Sequence, residues 1–268
     1  MRRRAAGAAL ALLSITLGAE PASAWPQALL TALGRDARRL VPRSLAGLLA
    51  ERETQILEEA RRFPVTLSHR LALDLPAGRL SADTVAALET HAGGALDLFK
   101  QRRISEGVVR LGALLRVPAD LADPVLAAGP EGYPPGVVRE YYAFIEESLG
   151  KIPVVLDDAP ALKLERRDLP GYWQALLARG RGEAALIRTE LFRDGRVVDH
   201  RTLDYRSPVF GVASLAYSRA VTAIAATWTA LWREARGDLT RVPSAKPIAP
   251  GSGRTSAGST PVASPEAE

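Results

Sequence analysis

The chain has 268 residues, no cysteine, three histidines and a formal charge of +5 at neutral pH. Without cysteine it can carry no disulfide, no thiolate metal site and no lipid on an N-terminal cysteine. The mild, dispersed charge gives little support to a nucleic-acid partner, which wants Lys and Arg gathered on one face.

The start of the chain is basic (Arg2, Arg3, Arg4), then uncharged and apolar over 5–17, then small at Ala22-Ser23-Ala24. That order reads as a signal peptide over 1–24. Its apolar run is shorter than the roughly 20 residues a membrane-spanning helix needs. An exported protein, periplasmic or secreted, is therefore expected, with Trp25 as its new N-terminus. No transmembrane segment is expected in the mature chain.

Leu29, Leu30, Leu33, Ala37 and Leu40 form a helical stripe over 27–40, ended by Pro42. Ser44 can cap a second helix reaching about residue 62, ended by Pro64. Residues 65–80 read as a short strand or an extended loop, because Leu71, Leu73 and Leu75 alternate. Ser81 caps a long helix. A mostly apolar helix over 104–120 follows, and Pro118 should kink or end it. Residues 129–136 form a Pro/Gly loop, and 137–149 return to helix. Asp168-Leu169-Pro170 opens another helix, and Asp194-Gly195 marks a turn between two short strand-like runs. Ser207-Pro208 starts the closing helix, which runs through Trp228 and Trp232. Residues 244–268 are mainly Pro, Ser, Gly, Ala and Thr and cannot bury enough apolar surface to order themselves. One all-α, multi-helix domain over 25–243 with a disordered tail is the expected organisation.

Read from the residues alone, the candidate chemistry is sparse. His69 lacks an evident partner and reads as a loop histidine. His91 reads as a solvated helix-rim residue and His200 as having no chemical role. Asp157-Asp158 is a loop acid pair. Tyr141, Tyr142 and Phe144 read as core. Arg116 and Asp120 are four apart, hence on one helical face, and read as an ion pair. Glu140 is an acid at a helix start, where the dipole favours it. No Ser-His-Asp set and no Gly-rich phosphate loop is present.

Four segments nevertheless resemble one family: Trp25 behind the cleavage site, Ser68-His69, the run Val109-Arg110-Leu111-Gly112 to Asp123-Pro124, and the last helix with Ala220, Val221, Thr222, Trp228 and Trp232. Together they resemble the zinc-dependent phospholipase C and single-strand-specific nuclease superfamily. The resemblance implies an all-α fold and three zinc ions held by His and Asp side chains and by a mature N-terminal Trp. It implies Trp25, His69, Asp120 and Glu140 as the surviving metal positions. Most of the pattern is replaced. Arg116 stands where a ligand His is expected, and a guanidinium has no lone pair to offer. Leu126 and Gly136 or Val137 fall where further histidines belong, and Arg61-Arg62-Phe63-Pro64 where an Asp does.

A non-catalytic relative is therefore expected, binding a small ligand or an envelope protein, with Arg116 as an anion or ion-pair contact. No cofactor is expected, and zinc is the ion if any binds. The alternatives are a divergent metal-dependent phosphodiester hydrolase, of phospholipase C or nuclease type, and an unrelated helical interaction protein of the envelope. The residues that would be catalytic are unknown.

Overall fold

Proline, glycine and polar caps punctuate the chain into helices. The computed structural model describes residues 25–240; the expected leader and the tail from 244 lie outside them. The helices are α1 (Gln27–Arg38), α2 (Arg43–Glu51), α3 (Glu53–Arg61), α4 (Val65–Ala77), α5 (Ala82–Lys100) and α6 (Ile104–Ala113). They continue with α7 (Arg116–Ala122), α8 (Pro124–Ala128), α9 (Val137–Ser148), α10 (Leu169–Leu191) and α11 (Pro208–Glu234). A two-residue hairpin, β1 (Phe192–Arg193) with β2 (Arg196–Val197), is the one sheet among the described residues. The all-α expectation holds.

Helix α11 organises the core. From Ala216 to Trp232 nearly every side chain is buried, whichever way it faces, the pattern of a helix surrounded by protein. It packs against α1, α7, α10 and the 3₁₀ turn Ala159–Lys163. Two of its polar groups tie it to neighbouring helices: Trp173 Nε1 donates to Thr227 Oγ1 at 3.2 Å, and Tyr217 O–H donates to Asp36 of α1 at 2.9 Å. By length and composition α11 could cross a membrane, contrary to the expectation that nothing after the leader could, but 72% of its apolar window is buried inside the fold. Ser207 caps it by accepting from Phe210 N–H at 3.3 Å.

Several boundaries depart from the sequence reading. Residues 65–77 are helix, neither strand nor loop. Leu67, Leu71 and Leu75, four apart, are buried, whereas Leu73 is 64% exposed. The helical stripe overrides the apparent alternation because α4 buries only one side, against α5 and α8. The helix expected to 62 is broken at Arg52 into α2 and α3, and the one expected over 104–120 is broken at Leu114-Leu115, before Pro118. Pro118 sits in the first turn of α7, where its missing N–H leaves no bond unmade. The expected turn is present, with Asp194 (φ 52°) and Gly195 (φ 73°) both left-handed, as a two-residue hairpin requires.

Candidate functional site

Two groups of side chains gather ionisable residues from distant parts of the chain, one inside the core and one at its rim.

The inner group forms around α7. Arg116 Nε donates to both oxygens of Asp120, at 2.9 and 2.8 Å, from one turn earlier on the same helix. Both side chains are largely buried, at 15% and 8% exposure. Burial raises the pKa of Asp120, while the charge and hydrogen bonds of Arg116 oppose the rise. Trp25 is fully buried beside them; its Nε1 donates to Ala119 O at 2.8 Å, and its ring lies 6.4 Å from that of Tyr142. Three residues on, Asp123 caps α8 by accepting from Val125 N–H at 2.8 Å and Leu126 N–H at 3.4 Å. Its other oxygen accepts from Tyr142 O–H at 2.7 Å. Asp123 is fully buried, and burial pushes its pKa up to about 7 against the pull of those hydrogen bonds.

The outer group joins α9 to the 3₁₀ turn His200–Thr202 that follows the hairpin. Glu140 Oε1 accepts from Arg139 Nε and Nη2 at 3.1 and 2.9 Å. Glu140 Oε2 lies 2.7 Å from His200 Nδ1 and accepts from His200 N–H at 3.2 Å. These bonds, the His200 side chain's first, hold the Glu140 pKa down to about 2. His200 Nε2 lies 3.3 Å from Glu147 Oε2, and Nδ1 lies 3.6 Å from Asp199 Oδ1. A solvent-open cleft of about 330 Å³ runs past Arg139, Glu140, Val197, Asp199, His200 and Arg201.

Of the five residues singled out in the sequence, Trp25, Arg116 and Asp120 come together. Glu140 belongs to the outer group. His69 is exposed on α4, and among the described residues no hydrogen bond or ion pair joins it to the other four. The Asp120 carboxylate is engaged through both oxygens by Arg116, and the Trp25 side chain is buried in the core. The pairing of Arg116 with Asp120 one turn later was legible from sequence; the seating of Asp123 against Tyr142 was not.

The two remaining histidines depart from expectation. His91 is not solvated: it is 7% exposed, with its ring 5.2 Å from Phe63 in an edge-on arrangement and its Nε2 lacking a hydrogen-bond partner. Burial pushes its pKa down to about 4, aided by the charge of Arg110. His200, read as idle, lies among three carboxylates. Glu140 and Glu147 are seven apart and so lie on one face of α9. Nothing local linked that face to a histidine 60 residues away. Asp157 and Asp158 are taken up by arginines, with Arg219 Nε 3.3 Å and Arg179 Nη1 3.7 Å from Asp157, and Arg179 Nη1 3.9 Å from Asp158.

No family model, no curated protein and no solved structure matches this chain.

Proposed function

We propose that this chain is an exported, non-catalytic binding protein, built on a phospholipase C/nuclease-like helical plan whose interior metal position has been closed by an ion pair. The observation that carries the reading is the Arg116–Asp120 pair, 2.8 Å at its shortest, beside the buried Trp25. Hydrolysis by a metal needs an ion with an open position for water. A guanidinium donating to both oxygens of the carboxylate supplies neither. Such a pair also stabilises little by itself, since desolvation offsets much of its attraction, but it sets how α7 seats in the core. Binding of a small ligand or an envelope protein then falls to the surface clefts.

The test is turnover. The purified protein lacking residues 1–24, saturated with zinc, is expected to leave a chromogenic phosphodiester intact at every pH between 5 and 9. Hydrolysis that disappears in Asp120→Asn would establish the divergent hydrolase instead.

A further inference from the structure

His200 brings three carboxylates, from α9 and from its own turn, to one imidazole. A neutral imidazole carries a single N–H. Both of its ring nitrogens face carboxylates: Nε2 faces Glu147 at 3.3 Å, and Nδ1 faces Glu140 at 2.7 Å and Asp199 at 3.6 Å. In the tautomer that donates from Nε2 to Glu147, the Nδ1 lone pair is available to a cation that Glu140 and Asp199 also face. The arginines nearby engage other atoms. Arg139 donates to the far oxygen of Glu140, and Arg201 contributes its backbone N–H to Asp199 Oδ1 at 2.9 Å.

We propose that Glu140 Oε2, Asp199 Oδ1 and His200 Nδ1 form a binding site for one divalent transition-metal ion, with Glu147 orienting the imidazole from behind. One ligand atom from each of the three residues lies within 4.8 Å of the others, and side-chain adjustments that open the 2.7 Å Glu140–His200 contact bring them to the separations found around a metal with bonds of about 2.0–2.2 Å. One imidazole and two carboxylates suit zinc or manganese. The solvent-open cleft leaves room for water to complete the coordination. The carboxylate–imidazole–metal line is the usual way an outer partner fixes the tautomer of a ligating histidine. Glu140 is pre-set by Arg139, Asp199 by its turn and His200 by its backbone bond to Glu140, so little ordering remains to oppose binding. Asp199 and His200 have no counterpart among the positions that the family resemblance nominates, and the site stands whether or not that resemblance holds.

The experiment uses the untagged full chain, stripped with chelator, titrated with Zn²⁺ by calorimetry and with Co²⁺ by visible absorption. One ion per chain is expected, together with a Co²⁺ d–d band and a higher unfolding temperature on zinc addition. His200→Ala should abolish all three. Asp199→Asn, exposed and able to keep its turn hydrogen bond, guards against a folding artefact and should weaken binding. Glu147→Gln should weaken it roughly tenfold. Absence of binding, or binding unchanged in His200→Ala and Asp199→Asn, overturns the site. Binding lost in Asp120→Asn but kept in His200→Ala overturns it too, and sinks the non-catalytic reading with it. Phosphodiester turnover without those losses counts against the non-catalytic reading alone.

Discussion

At the scale of single residues, burial moves two titratable groups in opposite senses. Asp123 has a folded pKa of about 7, above its usual value. Between roughly pH 4 and 7 the folded chain therefore holds a proton that the unfolded chain has lost, so this group's contribution falls as pH rises. His91 has a folded pKa of about 4, below its usual value. Between 6.5 and 4 the unfolded chain takes up a proton that the folded chain refuses, so this contribution falls as pH falls. The two slopes oppose each other across the same window. Asp123→Asn, which keeps the helix cap, should leave a protein that gains stability from pH 4.5 to 6.5. His91→Leu should leave one that loses stability over that interval. Urea midpoints at pH 4.5, 5.5 and 6.5 decide it; two variants running parallel to the parent protein would refute both assignments. Neither group announced itself in the sequence. His91 looked like a rim residue because a helical stripe says which side is apolar, not how deeply its edge is covered by Phe63.

At the scale of elements, helix formation was legible and helix ends were less so. Caps and prolines located the starts of α5, α10 and α11. The break at Arg52 was not legible, because no proline or glycine stands at it; the break at Leu114-Leu115 falls four residues before Pro118, which has no N–H for the Leu114 carbonyl, and its placement also answers to packing. Helix α6 illustrates the cause. It crosses α3 so closely that a Cβ on Gly112 would lie 2.5 Å from Ile56. One straight helix over 104–120 would have to hold that crossing and the seat of α7 against α11 together, and the chain turns between them. Gly112→Ala should force α3 and α6 apart and cost roughly 1–3 kcal/mol, read as a lower denaturant midpoint. An unchanged midpoint would mean that the crossing yields freely. Helix α4 teaches the complementary point. Leu71, Leu73 and Leu75 fit a strand, yet Leu67, Leu71 and Leu75 fit a helix equally well, and the half-covered position against α5 and α8 selects the second.

At the scale of the molecule, α11 touches most of the architecture, reaching α1, α5, α6, α7, α9 and α10. All four tryptophans, Trp25, Trp173, Trp228 and Trp232, are buried in the one hydrophobic cluster that surrounds it. A single shared core couples the helices it joins, so unfolding of the described residues should be cooperative. Tryptophan emission and the helical circular dichroism signal should lose amplitude over the same urea range; separated curves would point to an independently melting part.

What the sequence determined by itself is what depends on near neighbours: helical periodicity, proline and glycine breaks, the hairpin turn, and the pairing of Arg116 with Asp120 one turn apart. What only the tertiary structure decided depends on residues far apart in the chain. Ala119 meets Trp25 across 94 positions, and His200 meets Glu140 across 60. The physical reason is that an amphipathic helix specifies the character of the face it buries but not the partner that covers it. Depth of burial, and with it the charge state of His91 and Asp123 and the meeting of three carboxylates around His200, is set only when the helices pack.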